Sequence, residues 1–248
     1  MEFEVKDKLW NGSINIIISL DTDDSSIEYL LTVPRISYLP IYYESIAKYF
    51  KNFLEFTQPF WLEYNSIPIK WNQPVGLLYD HLHLPSTINS DPWKLDFKFG
   101  DYPDIIPFIY RYPDDTINYE RSISENFFNQ LKQSSFIVNG NSKAVMNLSK
   151  NDSEMLWNAI KDHDLNYYTT IEKKLTSTKM LRIPVKVFAQ GKILHYPSDI
   201  DSTFESITKD FPNSQFHVHG ISLNENIKIL DLWKMFKYLD DFLYIVVY

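Results

Sequence analysis

A β-branched apolar run, Ile14, Ile16, Ile17 and Ile18, opens the pattern, interrupted only by Asn15. The pattern predicts a strand over 9–20, with Gly12 near its start. A turn cluster, Asp21-Thr22-Asp23-Asp24-Ser25-Ser26, separates it from a second apolar run over 27–33, so the two read as a hairpin. Pro34 and Pro40 bracket a loop. Helical spacing then takes over from 41 to 56, where Ile46, Tyr49, Phe50, Phe53 and Leu54 share one face. Phe60-Trp61-Leu62-Glu63-Tyr64 returns to a strand, and a second short strand follows. Pro74 suits the first turn of a helix, where a missing N–H costs nothing, and Asn72 or Gln73 falls near its cap. Trp93-Lys94-Leu95-Asp96-Phe97-Lys98-Phe99 closes this stretch as a strand.

The residues from 100 to 120 are rich in Pro, Asp and Tyr and read as a surface connector. Ser122 and Glu125 have capping-box spacing and open a helix through about 135. Asn139-Gly140-Asn141 is a break. Ser149 and Asp152 open a long helical stretch whose face is Leu156, Ile160, Tyr167, Ile171 and Leu175. From Leu181 strands return: one at 183–188, a turn at Gln190-Gly191, and another at 192–196. A helix carrying Phe204, Ile207 and Phe211, a strand at 216–220, a short amphipathic helix at 229–236 and a strand at 242–248 complete the pattern. The elements of residues 1–100 thus recur at the far end, and strand, strand, helix, strand, short helix, strand is the order of a ubiquitin-like β-grasp. The predicted fold is α+β: two β-grasp domains, 1–100 and 180–248, flank a connector and helix-rich domain at 101–179.

Composition narrows what such a chain can do. It has 248 residues, a formal charge of −8 and a sequence pI near 5.2. That balance argues against a nucleic-acid partner, which needs clustered Lys and Arg, and leaves membrane contact to a local patch. There is no cysteine. Disulfides, thiolate metal sites, a catalytic thiol and any thioester carried on this chain are excluded. No signal-peptide pattern opens the chain, and no apolar run approaches the ~18 residues that span a bilayer.

The candidate chemistry is sparse. His81-Leu82-His83 and His217-Val218-His219 each put two imidazoles on one face if extended, but a metal needs a third ligand, so no metal is read here. Asp162-His163-Asp164 resembles half of an acid–base pair and reads better as a solvated face or a helix break. No Gly-x-Ser-x-Gly elbow is present, and 6 glycines leave no phosphate-cradling loop. Neither an enzyme active site nor a cofactor is expected. Lys132 lies in Phe127-Phe128-Asn129-Gln130-Leu131-Lys132-Gln133. At ~100° per residue it falls near 140°, at the edge of the apolar stripe, so its stem packs while its amine stays in water. Local sequence alone does not distinguish an acceptor amine from any other such lysine.

Several segments, in order along the chain, resemble the autophagy protein 5 family, and a yeast member of it. They are Leu9-Trp10-Asn11-Gly12-Ser13-Ile14, Val33-Pro34-Arg35-Ile36-Ser37-Tyr38-Leu39-Pro40, the run from Trp61 to Asp80 containing Pro68-Ile69-Lys70-Trp71-Asn72-Gln73-Pro74-Val75-Gly76-Leu77-Leu78, Pro92-Trp93, Met155-Leu156-Trp157, His219-Gly220-Ile221 and Asp241-Phe242-Leu243-Tyr244-Ile245. Many members carry His where Asn72 stands. The resemblance implies two ubiquitin-like domains around a helical one, in agreement with the element order.

It also implies a function. A lysine in the first helix of the middle domain accepts the C-terminal glycine of the ubiquitin-like autophagy protein 12 in an isopeptide bond, and by position that lysine is Lys132. The conjugate binds the N-terminal helix of autophagy protein 16 in a groove. With the conjugating enzyme autophagy protein 3 it promotes transfer of autophagy protein 8 to phosphatidylethanolamine, during autophagosome formation. Such a subunit is non-catalytic, cytoplasmic and peripheral at the preautophagosomal membrane. Arg35 and Tyr38 pair a guanidinium with an aromatic ring, as binding hot spots do, and are candidates for the protein 16 groove; alternatively both brace the loop before the first helix. The apolar end Ile245-Val246-Val247-Tyr248 suits a sheet rather than the exposed glycine of a modifier. A ubiquitin-like scaffold that binds partners without being conjugated is the alternative reading.

Overall fold

The chain opens on a helix, α1 (Glu2–Asn11), where the apolar pattern predicts a strand; β1 (Ser13–Asp21) begins only after Gly12. The cause is tertiary. Trp10 is buried, its ring stacks on His163 at 4.8 Å, and its Nε1 donates to the His163 carbonyl at 3.1 Å. Lys6, one turn earlier, pairs with Glu172. The computed structural model describes residues 2–22, 25–57, 59–83, 92–175, 179–223 and 226–248; Asp23 and Asp24 of the expected first turn lie outside them. The chain forms two compact units, Gly12–Asn126 and, together, Met1–Asn11 with Phe127–Tyr248.

In the Gly12–Asn126 unit, β1 pairs antiparallel with β2 (Ser26–Pro34), as the hairpin reading predicts. A 3-10 turn over Leu39–Tyr42 leads into α2 (Tyr43–Phe50), which ends well before 56 and leaves Phe53 exposed. Then come β3 (Phe60–Tyr64), β4 (Ile67–Pro68), α3 (Val75–Leu82) and β5 (Trp93–Phe99). Pro74 sits just before α3 with an extended ψ of 141°, and neither Asn72 nor Gln73 caps that helix. The sheet order is β2-β1-β5-β3-β4, with β1 and β5 parallel at its centre. Ile14, Ile16, Ile18 and Leu20 face inward because side chains alternate across a strand. Ile46 and Phe50 of α2 are fully buried, and Phe50 meets Phe97 of β5 at 4.6 Å between ring centroids.

The next helix, α4 (Tyr119–Asn139), starts three residues before Ser122. Its cap is Asn118, whose Oδ1 accepts from Arg121 N at 2.9 Å. Ser122 lies within the helix and donates back to the Asn118 carbonyl at 2.7 Å. After α5 (Lys143–Met146), Ser149 does cap α6 (Lys150–Lys161), accepting from Asp152 N at 3.0 Å. The expected single helical stretch breaks here. His163 has φ of 57°, and Asp164 Oδ1 accepts from Asn166 N and Tyr167 N at 2.9 and 3.0 Å to start α7 (Leu165–Leu175). The new phase buries Tyr168 and leaves Tyr167 exposed, contrary to the face drawn through Tyr167.

The second sheet comprises β6 (Val185–Ala189), β7 (Lys192–His195), β8 (Phe216–Val218), β9 (Ile221–Ser222) and β10 (Leu243–Val247), with α8 (Glu205–Thr208) and α9 (Ile229–Phe236). Its order, β7-β6-β10-β8-β9, with β6 and β10 parallel, repeats the first sheet strand for strand. Gln190 and Gly191 both take positive φ, 50° and 72°, as a two-residue hairpin turn requires. Val185, Val187, Phe204, Ile207, Ile229, Leu232, Leu243 and Ile245 form the core. Every residue of β6 and β10 is buried, so these two central strands are covered on both faces. The architecture is α+β, with two ubiquitin-like folds flanking a helical region in sequence.

Candidate functional site

The side chains of Ile123, Phe127, Leu131, Ser134 and Val138 are buried along α4 at the 3.6-residue period. Lys132 follows Leu131 at the margin of that stripe and is half-buried. Among the described residues no hydrogen bond or ion pair engages its Nζ. It lines an open groove of about 350 Å³ with Gln133, Phe136, Ile137 and His195. Phe136 is 61% exposed although its ring is apolar. On either side of Lys132 the helix is fixed to the second sheet. Gln130 Oε1 accepts from Lys186 Nζ, and Ser134 Oγ donates to the Asp240 carbonyl at 2.7 Å.

Lys186 and Asp240 form the polar floor behind this helix. Lys186 Nζ lies 3.7 Å from the Phe242 ring centroid, and burial pulls its ammonium down to about 8, against the attraction of Asp240. Asp240 accepts from Tyr244 Oη at 2.5 Å and from Phe242 N at 3.2 Å, yet burial still raises its carboxyl above the ordinary range. His195 pairs in register with Lys186 across β6 and β7, so both side chains lie on the face toward α4. Desolvation, and then the Lys186 charge, lower the His195 imidazolium. Sequence reasoning did not find His195: it stands 63 positions from Lys132, and only the sheet brings them to one groove.

Lys143 and Lys150 stand elsewhere, at the first residues of α5 and α6, and Lys150 approaches Glu154 at 3.7 Å. Arg35 and Tyr38 lie in the Gly12–Asn126 unit. Tyr38 is 2% exposed, and Arg35 Nη2 pairs with the buried Asp80. Their loop is stitched to the start of α3: Val75 N donates to the Ser37 carbonyl at 2.8 Å and Gly76 N to the Arg35 carbonyl at 2.6 Å. Arg35 also lies over the Tyr79 ring, its guanidinium carbon 5.6 Å from the centroid, so loop and helix are joined by side chain as well as backbone.

The histidine pairs separate. His81 lies in the last turn of α3 and His83 caps its end, so the extended geometry that aligns them does not form. His217 Nε2 meets Ser222 Oγ at 3.0 Å, whereas His219 turns away with φ of 51° and stacks on Tyr238 at 4.1 Å. Among the described residues no group of three or more His, Asp or Glu could hold a metal ion. Asp162-His163-Asp164 is the helix break.

Three family descriptions match the chain in sequence: "Autophagy protein ATG5, UblA domain" over residues 9–99, "alpha-helical bundle region" over 120–178 and "UblB domain" over 182–247. The chain is 42% identical to Autophagy protein 5 of Debaryomyces hansenii, over 98% of this chain and 94% of that protein. It is 38% identical to Autophagy protein 5 of Candida albicans, over 98% and 95%. The crystal structure of Kluyveromyces marxianus Atg5 has the same fold, with a TM-score of 0.87 at 23% identity and coverage of 98% and 99%.

Proposed function

This chain belongs to the autophagy protein 5 family, and we propose on that premise that Lys132 is the covalent acceptor of autophagy protein 12. The observation that carries this reading is the Lys132 amine itself: unpaired, beside a groove, on a helix held at Gln130 and Ser134. The chain acts as a non-catalytic subunit. The modifier's thioester is carried by a conjugating enzyme, and this chain supplies the nucleophile. The conjugate binds the helix of autophagy protein 16 and stimulates autophagy protein 3 to transfer autophagy protein 8 to phosphatidylethanolamine. Its three functional parts are residues 1–100, 101–179 and 180–248. Within the first, Arg35 contributes its guanidinium edge to the protein 16 surface, and Tyr38 holds the loop that presents it.

The work takes place in the cytoplasm, peripherally at the preautophagosomal membrane. Among the described residues no helix is long and apolar enough to cross a bilayer, which is compatible with that peripheral role. The test is reconstitution of the activating and conjugating enzymes with the modifier, comparing wild type with Lys132→Arg by intact mass. Arginine keeps the charge and the packed stem but not the acylable amine. The conjugate disappears while thermal stability and protein 16 binding persist. A conjugate of undiminished yield on the Arg variant shows that another lysine is the acceptor, and the absence of any reductant-resistant higher-mass form of the wild type leaves the unconjugated scaffold as the function.

A further inference from the structure

Acylation of a lysine needs more than an exposed amine. An alkylammonium has no lone pair, so its nitrogen must lose one proton before it attacks and a second as the amide forms. Among the described residues, the only other titratable side chain lining the Lys132 groove is His195. We propose that His195 is the proton acceptor for Lys132, so that this chain supplies the base of its own modification as well as the nucleophile. The inference rests on Lys132 being the acceptor, as above.

The placement has three supports. His195 closes the groove from the sheet side, while Lys132, Gln133, Phe136 and Ile137 come from α4. The imidazole is exposed at the end of edge strand β7, with the Phe242 ring edge-on at 6.3 Å behind it, so one side faces protein and the other faces the groove. The charged groups that face it are cationic. Lys186 is its partner in register on β6, and Lys132 lies across the groove on α4; Asp240 lies beyond Lys186 and is hydrogen-bonded to Tyr244. Desolvation, and after it the Lys186 charge, disfavours imidazolium. The environment of His195 thus favours the neutral imidazole, which is the form that accepts a proton.

In the step itself, Lys132 Nζ attacks the carbonyl carbon of the modifier's thioester. A C–N bond forms, the C–S bond breaks, and the conjugating enzyme leaves as thiolate. The ammonium loses one proton to give the attacking amine and the nitrogen loses a second as the amide forms; each passes in turn to an imidazole nitrogen of His195, and from the imidazolium to water or to the leaving thiolate. No oxidant or metal is needed.

The test is single-turnover transfer from the preformed modifier thioester on its conjugating enzyme to wild type, Lys132→Arg, His195→Gln and His195→Ala, across pH 6 to 9. His195→Gln and His195→Ala slow transfer about 100-fold at neutral pH, the lower end of what a positioned base supplies. The deficit shrinks as pH rises, and added imidazole restores rate to His195→Ala. Thermal midpoints stay at the wild-type value, since the residue is exposed on an edge strand. Wild-type rates in both His195 variants at every pH overturn the inference, and so does a slowing that neither pH nor imidazole relieves. If Lys132→Arg is still conjugated, it is the acceptor assignment that fails, and this outcome is read independently of the His195 variants.

Discussion

Gly76 lies in the first turn of α3, inside the longest family segment, and the structure gives its replacement a definite cost. A Cβ built there would stand 2.8 Å from the Arg35 carbonyl oxygen and 3.0 Å from Arg35 Cβ. The oxygen is backbone and cannot rotate away, so Gly76→Ala must push α3 off the 34–38 loop. Overpacking of this kind costs about 1–3 kcal/mol. The same shift lengthens the 2.6 Å hydrogen bond from Gly76 N to the Arg35 carbonyl, at about 1 kcal/mol. Alanine returns about 1 kcal/mol of helix propensity over glycine. The balance is a loss of about 2 kcal/mol, or roughly 30-fold in the opening equilibrium. Native-state hydrogen exchange reads it directly: the slow amides of β1 and β5 should exchange about 30-fold faster in Gly76→Ala. Unchanged or slower exchange in that sheet would mean that propensity outweighs the contact, and that the close approach does not explain this glycine.

Two further outcomes follow from buried charges. Arg35→Lys keeps a cation for Asp80 but removes the planar fork, so affinity for the autophagy protein 16 helix, measured by titration calorimetry, should fall at least tenfold with the fold intact; a change within about twofold would leave Arg35 as a brace alone. Lys186 is held at about 8 in the fold against 10.5 for an ordinary lysine, so between those values the unfolded chain binds more protons and stability rises with pH. From pH 8 to 9.5 the gain is about 2 kcal/mol at ~1.4 kcal/mol per pH unit, and urea titrations of Lys186→Met should lack it; parallel pH profiles for the two proteins would refute the assignment.

Much of the fold is legible where a local rule and the tertiary structure agree. The isoleucine run of β1, the Gln190-Gly191 turn and the Ser149 cap are such places. The failures share a cause. Leu9 and Trp10 favour a strand by composition, yet Trp10 is fixed in α1 by His163, more than 150 positions away. Ser122 and Glu125 have the right spacing for a cap, but Asn118 caps first, and the helix starts there. Around Asp162 the apolar periodicity runs on, because a break needs only one residue at positive φ; the signal there lies in the polar Asp162-His163-Asp164, read as a solvated face or a helix break. The candidate site divides the same way. Lys132 is singled out only by its position before the Met155-Leu156-Trp157 segment that resembles the family, not by its own neighbourhood. His195 carries no signal in its own neighbourhood, because its relevance comes from a strand register and a helix 63 positions earlier.

The two β-grasp sheets share an order but not a use, and the difference bears on why one lysine would be acylated rather than the chain's other amines. In β6 and β10 the outward face is buried too; Lys186 of β6 binds Gln130 of α4, and the Asp240 carbonyl, in the turn before β10, binds Ser134. Lys132 sits between those two anchors, so its Cα has little freedom to lose when a thioester approaches. Lys143 belongs to a four-residue helix, and Lys150 projects 90% exposed from the first turn of α6. Each side chain can reach a reactive carbonyl, but each must first be ordered, and pre-paid orientation is worth several kcal/mol in a bimolecular step. Selectivity on this view comes from the sheet behind the helix. Loosening that attachment, without touching Lys132 or His195, should therefore spread acylation to other lysines before it abolishes it.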